Sequence, residues 1–451
     1  MVSWRPIVGD DVYAVLTLRA WSWERDHRYW AAQIAVLCLA FAVPIVGIIA
    51  PQAVQITLML AAVAATCALA LDQRSKPRLS ALTRSPHLAL CCIFMMYVAL
   101  QSLRFVDGQS ILDAAQRPLM ILQLVILIAF LEVFRQDLAA LRLGAYLRGG
   151  LIVSAAMLAA LLVYQHLVVI AAPVSWHEAL AKNAREINRY LEIPAILVFL
   201  VAVYGSQQRL FVYLAVAFYV ISLAAVGYWP ADQRIAHVNS DTLQIGMPIA
   251  MLVLLIARAW PRRACEAVFG TIAAYIALAP WLHIAAFKIL PWVLPLRRGL
   301  ILDRVEIWAG TAWRTLGASW HDLVLGRGRE FLRFDANFAI DGVYVKHMPY
   351  HPHNMVLQLW LDMGLIGAAF VLAFLWPLYK CVAAADVQRQ PALLACTVML
   401  FLACSVTHSL WQMWFLAVVM VTLALIIGMG GTSGRRGRTT TEAESQPATS
   451  N

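Results

Sequence analysis

The chain is a succession of long apolar runs, and these limit its possible folds more than any other feature. Many approach the ~20 residues that an α-helix needs to cross a bilayer. They do not alternate polar and apolar residues, as the strands of a membrane barrel would. With 62% hydrophobic and 13% charged residues in 451, a soluble fold has nowhere to hide this much apolar surface. We therefore read an all-α, polytopic integral membrane protein of about twelve spans. They fall at roughly 30–49, 52–71, 88–104, 118–134, 149–170, 191–204, 210–228, 243–259, 266–290, 354–379, 391–410 and 412–430. Span 149–170 opens on Gly149-Gly150, and 191–204 is short, so these two carry the weakest pattern.

An even count puts both termini on one side, and Lys and Arg decide which side. With the termini inside, the inner segments hold 20 basic residues and the short outer loops six: Arg104, Arg117, Lys182, Arg185, Arg189 and Arg234. The other nine lie in one long outer segment, Lys288 to Lys346, and long loops largely escape the rule. Both termini are thus expected in the cytoplasm. Met1 to Arg28 is polar and aromatic, unlike a cleavable signal, so the first run should serve as an uncleaved anchor. The formal net charge of +10 then reflects topology, and no nucleic-acid partner is implied. The eight cysteines (Cys38, Cys67, Cys91, Cys92, Cys265, Cys381, Cys396, Cys404) fall in spans or on the cytoplasmic side, so no outer disulfide is expected.

This gives a cytoplasmic N-terminus (1–29), nine helices (30–290), an outer loop (291–353), three helices (354–430) and a disordered tail (431–451). The outer loop is too long for a bare connection and must fold over the spans. Within it, Leu302 to Leu316 reads as an amphipathic helix. Val305, Trp308, Ala312 and Leu316 follow the helical period, Asp303 offers an N-cap, and Arg304 shares a face with Trp308. A helix simply lying on the bilayer surface fits the same pattern. Gly326-Arg-Gly328 then marks a turn.

Three outer segments carry candidate chemistry. His351, His353 and Asn354 stand where a polar loop meets an apolar helix. An extended backbone would put both imidazoles on one face, whereas a helix starting at His353 or Asn354 would separate them. Imidazole titrates near neutral pH and suits a base that activates a hydroxyl. Capping the helix or bonding lipid headgroups is the structural alternative. A metal pair would need a third ligand; the nearest candidates, His347 and Asp341, follow no zinc spacing, so neither metal nor other cofactor is expected. In the loop before 191–204, Arg185 and Arg189 are four apart and would line one helical face, or else be plain solvated charge. A third loop brings Arg234, His237, Asn239, Ser240 and Asp241 together and could meet sugar hydroxyls. No nucleophile elbow, P-loop or dinucleotide fingerprint stands out. Inside the spans, Glu132, His283 and His408 are the notable ionisable residues, and they form no obvious relay. A transporter would instead show internal repeats and helices broken at mid-membrane. Arginines suit a diphosphate, a histidine suits a hydroxyl acceptor, and the bilayer mouth suits a polyprenyl tail.

The chain resembles the bacterial O-antigen ligase and polymerase superfamily. The resemblance rests on Arg304-x-x-x-Trp308, Gly326-x-Gly328 and His351-x-His353-Asn354-x-x-Leu357-Gln358 with Gly364-x-x-Gly367. It is strong over about 301–380 and rests on layout elsewhere. It implies a metal-independent, inverting glycosyltransferase of the inner membrane with a periplasmic site and a GT-C-like helical fold. Its donor would be an undecaprenyl-diphosphate-linked O-antigen. By the motif, Arg304 with Arg185 or Arg189 would bind the donor diphosphate. His353, with His351 beside it, would assist the acceptor hydroxyl, and Asn354 and Trp308 would support the site. A ligase, delivering to lipid A–core oligosaccharide, is the first expectation; a polymerase or a protein O-oligosaccharyltransferase is the alternative. The stretch Ser240-Asp-Thr-Leu-Gln244 departs from ligase-like relatives by lacking an Arg there, so the resemblance gives that loop no phosphate role.

Overall fold

The computed structural model describes residues 27–71, 86–103, 111–134, 138, 141–171, 191–203, 207–227, 242–293, 300–328, 339–340, 343–344, 352–406, 408–410 and 412–430. Among these the protein is helical apart from one small antiparallel ribbon. In chain order, α1 (His27–Leu37) runs through a π-helical turn (Cys38–Ala42) into α2 (Val43–Ile49). There follow α3 (Val54–Leu71), α4 (Pro86–Leu103), α5 (Ile111–Val133), α6 (Leu143–Ala171), α7 (Leu191–Val203), α8 (Gln208–Gly227), α9 (Thr242–Ala259) and α10 (Pro261–Val293). Then come α11 (Leu300–Leu316), α12 (Trp320–Leu325), the ribbon β1 (Ala339–Ile340) and β2 (Val343–Tyr344), α13 (Met355–Ala383), α14 (Gln390–Val406) and α15 (Met413–Gly430).

Each of the twelve predicted segments contains a helix. Six are long and apolar enough to cross a membrane: Tyr29–Ile49, Pro51–Leu71, Leu143–Tyr164, Pro261–Ile289, Met355–Ala383 and Met413–Gly430. Six shorter apolar helices of 10–17 residues account for the rest. The architecture is that of a polytopic helical membrane protein. Its helices carry apolar residues on both faces, as lipid contact requires. On α3, Ile56, Leu60 and Val63 are exposed, while Ala61, Ala65 and Ala68 are buried against the bundle. Small residues on the inner face let the backbones of α1 and α3 approach closely.

The two segments with the weakest pattern have physical explanations. Gly150 lies inside α6, which begins at Leu143, and faces the π-helical turn; a Cβ there would come within 2.8 Å of the Phe41 carbonyl oxygen. The short α7 is buried from end to end, packed against α8 and α14, and its second half (Val198–Val203) tightens to a 3-10 helix. It faces protein rather than lipid, so it need not match the thickness of the bilayer. One expectation is corrected: Asp303 lies within α11, which begins at Leu300, and so does not cap it.

The feature that positions the site is a break in α13. At Gly364 the backbone turns to φ 62, ψ −161, a conformation open to glycine and strained for other residues. Carbonyl groups just before the break lose their helical partners, and in a membrane interior such groups must be satisfied by protein. The turn after α12 supplies donors: Arg327 N donates to Leu361 O (2.8 Å) and Gly328 N to Asp362 O (3.0 Å). The Tyr97 hydroxyl on α4 is shared between Leu325 O (2.7 Å) and Met363 O (2.8 Å). Gln101, one turn on, also donates to Leu325 O. The two backbones meet so closely that a Cβ on Gly326 would overlap the Asp362 carbonyl, and one on Gly364 would overlap the Gly326 amide. Both Gly326 and Gly328 have positive φ. Gly326-x-Gly328 and Gly364 are therefore two halves of one joint.

Gly364→Ala should accordingly be far more damaging than Tyr97→Phe. The alanine meets both positive-φ strain (~1–3 kcal/mol) and overlap with backbone, while the phenylalanine loses the shared hydroxyl donor and the bond it accepts from Gln101, about 1 kcal/mol each, with no overlap. Thermal unfolding of the two purified variants checks this. A Gly364→Ala melting temperature at or above that of Tyr97→Phe would contradict the joint.

Candidate active site

The joint lays α11 and α12 against α10 and α13, and the site forms where these elements meet. Their shared apolar seam includes Ile276 and Ala279 of α10, Ala312 of α11, and Val356, Leu357 and Trp360 of α13. Trp360 Nε1 donates to Ile276 O (2.7 Å), tying the first turns of α13 to α10.

At the head of α13, Asn354 is the N-cap. Its Oδ1 accepts from Val356 N and Leu357 N, both at 3.0 Å, satisfying two of the four amide donors that a helix start leaves open. Its Nδ2 donates to the Tyr275 hydroxyl (2.8 Å) on α10 and lies 3.4 Å from His283 Nε2. Tyr275 and His283 are themselves 2.9 Å apart. The residue is fully buried, so every one of these bonds fixes the helix start. On the other side, Trp308 Nε1 donates to Pro352 O (2.9 Å), and the Trp308 ring packs edge-on to His283.

His353 thus sits between two clamped neighbours. It is half-buried and has φ 52, the left-handed region that non-glycine residues seldom occupy. Such strain persists where surrounding contacts over-determine it, commonly at functional sites. Here the Pro352 carbonyl and the Asn354 side chain are both held from α10 and α11. The geometry presents one imidazole at the end of the apolar helix.

Arg304 stands one turn before Trp308 on α11. Its Nη1 is buried and has no hydrogen-bond partner among the described residues. Burial draws its pKa below the usual guanidinium range, yet guanidinium stays charged under any physiological condition. A desolvated cation with a donor that no described residue fills can accept a hydrogen-bond partner such as an anion.

Beneath the head of α13 lies a cavity of about 250 Å³. Met355, Val356 and Leu359 form part of its wall, with Ile276 of α10 and Phe401 and Leu400 of α14 opposite; the lining is almost wholly apolar.

The structure therefore brings Arg304, Trp308, His353 and Asn354 to one region. His351, Arg185 and Arg189 lie outside the described residues, as do His347, Asp341 and the loop with Arg234, His237, Asn239, Ser240 and Asp241. Among the described residues no three His, Cys, Asp or Glu side chains group as metal ligands. Cys38, Cys67, Cys92, Cys265, Cys381, Cys396 and Cys404 are free thiols. Sequence reasoning missed Tyr275 entirely and found no partners for His283 and His408. His283 belongs to the Asn354 cap, and His408 pairs with Glu192. The missing signal was three-dimensional: Asn354 and Glu192 are 71 and 216 positions from His283 and His408, and Tyr275, eight positions from His283, lies outside the usual helical pair spacing.

No family model matches the chain, and no solved structure does. Weak relatives exist among Rickettsia proteins bearing the name "Putative polysaccharide ligase". One from Rickettsia bellii is 29% identical over 80 residues, 18% of this chain and 20% of that protein. One from Rickettsia typhi is 24% identical over 113 residues, 23% of this chain and 28% of that protein. The matched regions span no more than 28% of the length of these relatives. The similarity connects the chain with polysaccharide ligases at a coarse level.

The clamp around His353 is open to a direct test. Asn354→Asp keeps the capping oxygen but loses the amide donor to Tyr275, while Asn354→Ala loses both. The alanine variant should be the less stable of the two by about 1 kcal/mol, the usual worth of an N-cap. Equal unfolding midpoints for the two variants would show that the cap does not hold this helix start.

Proposed function

We propose that the protein is a glycosyltransferase that moves an O-antigen polysaccharide from undecaprenyl diphosphate to lipid A–core oligosaccharide. In this reading it works in the bacterial inner membrane, with both termini cytoplasmic and the His353 end of the bundle facing the periplasm. The observation that carries the reading is the buried Nη1 of Arg304, which no described residue fills, one turn from the tryptophan that holds the carbonyl just before His353. Leaving a buried donor unsatisfied costs about 1–3 kcal/mol, which a phosphate oxygen would recover. The polysaccharide-ligase names of the weak relatives and the motif over 301–380 support the same class.

The apolar cavity under the site suits the lipid part of such a donor. An engineered cavity of roughly 150 Å³ accepts benzene, so about 250 Å³ has room for the first isoprene units next to the diphosphate. In the proposed step the acceptor hydroxyl oxygen attacks the anomeric carbon opposite the diphosphate. The new C–O bond forms as the bond to the phosphate oxygen breaks, and the configuration inverts. The hydroxyl proton passes to His353, and the electron pair leaves on the diphosphate, whose charge Arg304 offsets with Arg185 or Arg189. His351 would steady the acceptor. Arginines would fill the role that a divalent cation plays in other lipid-diphosphate enzymes. A polymerase or a protein O-oligosaccharyltransferase would use the same donor machinery with a different acceptor.

His353→Ala should abolish transfer in a reconstituted assay while membrane insertion and unfolding temperature stay near wild type, with His351→Ala milder. Near-normal transfer by His353→Ala would remove the base from this position.

Arg304→Ala should weaken donor use by the worth of a charged hydrogen bond, ~1.5–3 kcal/mol, with the acceptor KM unchanged. Arg304→Lys should recover part of the loss, since it lacks the fork. Unchanged donor dependence would move the diphosphate to Arg185 and Arg189.

Transfer should also survive excess EDTA without added Mg²⁺ or Mn²⁺, and rise with pH because the base must be unprotonated. Loss in EDTA that one cation restores would overturn the arginine account and make Asp341 and the loop histidines candidate ligands.

A further inference from the structure

Glu192 and His408 form a buried pair that the reaction above does not use. Both are almost completely enclosed, at 2% and 1% exposure. Glu192 Oε2 and His408 Nε2 are joined by a hydrogen bond. The other ring nitrogen, Nδ1, lies 3.1 Å from Gln412 Oε1, an oxygen that also accepts from Ser409 N (3.3 Å). Nδ1 thus faces an acceptor oxygen, and Nε2 faces the Glu192 carboxyl group. The Phe415 and Trp414 rings enclose the imidazole, with centroids 3.8 and 5.0 Å away.

The residues next to His408 reach the site. Ser409 Oγ and Leu410 N both donate to Gln358 Oε1, each at 2.9 Å. Gln358 lies in the first turn of α13, where its own N–H donates to Asn354 O (3.0 Å). Two bonds therefore separate the His408 segment from the residue that follows His353. A buried polar pair adds little net stability over a well-packed apolar pair, because both groups lose their hydration. Its directional bonds do fix one arrangement of the segments that carry them.

We propose that Glu192 and His408 are positioning residues for His353. The pair anchors the segment between α14 and α15 to the start of α7. Held there, Ser409 and Leu410 grip Gln358 and set the register of the first turn of α13. The structural link stands independently of the function proposed above; only its consequence for turnover rests on that reading.

Hydrogen exchange on the full chain in lipid nanodiscs tests the link. Glu192→Gln keeps the size and one hydrogen bond of the side chain but removes its charge. The expected result is amide exchange about fivefold faster across residues 354–358, with α3 unchanged. Ser409→Ala should loosen the same residues, and the double variant should add little, because both break one link. Should Glu192→Gln not reach the membrane, Glu192→Asp keeps the charge, shortens the reach by one methylene and gives the same readout. Loosening confined to 191–197 and 408–412, with 354–358 as in wild type, would overturn the proposal and leave the pair a local packing feature. In the transfer assay kcat should fall about tenfold with donor KM unchanged, as expected for misplacement of a group that acts in the transition state. Loss of exchange protection at 354–358 without loss of kcat would keep the link but contradict its bearing on His353. Inactivity of the wild type toward every polyprenyl-diphosphate donor would fail the function above and leave the exchange result standing.

Discussion

The backbone of α13 cannot stay helical through Gly364 and leave its carbonyls empty in a membrane interior. That constraint organises everything around it. The groups freed at the break are met by the turn Gly326–Gly328 and by Tyr97, so a segment from outside the bundle is pulled down onto a long apolar helix. Only residues without a Cβ allow the two backbones to come this close. Once α12 is seated there, α11 falls across α10 and α13, and Arg304 and Trp308 arrive at the head of α13.

The site itself divides labour between rigid and unfilled groups. Asn354 commits its hydrogen-bonding capacity to structure, through two amides of α13 and the Tyr275–His283 pair. Trp308 holds the Pro352 carbonyl. Between them His353 keeps a left-handed backbone that isolated histidine would seldom choose. Arg304 contrasts with all three, since its Nη1 is buried without a partner among the described residues. A polar group kept in place by its neighbours, a buried cation whose Nη1 no described residue fills and an apolar cavity are the features on which the proposed sugar, diphosphate and lipid substrate rests.

Much of this could be read from the sequence, for reasons that differ by element. The apolar runs announced the helices because lipid demands length and hydropathy of each one. The amphipathic period of Val305, Trp308 and Ala312 located α11, although its start was misjudged at Asp303, inside the first turn. The pairing of Gly326-x-Gly328 with Gly364 was visible only as a shared motif, because backbone approach leaves no periodic trace. α7 looked like a poor span since its length was judged against a bilayer that it does not face. His408 stood isolated in the sequence because its partner Glu192 is distant in the chain, and His283 because Tyr275, two turns away on the same helix, is not at a spacing that brings side chains together by pattern alone. Arg185, Arg189 and His351 lie outside the described residues, so their part in the site remains a proposal.

In the proposed complex a polyprenyl diphosphate seats its phosphates at Arg304 and its first isoprene units in the cavity below His353. Photo-crosslinking with a diazirine-bearing polyprenyl diphosphate, followed by peptide mapping, reads out that seating. Cavity residues such as Val356, Leu359 and Phe401 should be labelled, with the label lost in Arg304→Ala and competed by unlabelled polyprenyl diphosphate. Labelling confined to lipid-facing positions such as Ile56 and Leu60, and indifferent to Arg304, would rule the seating out.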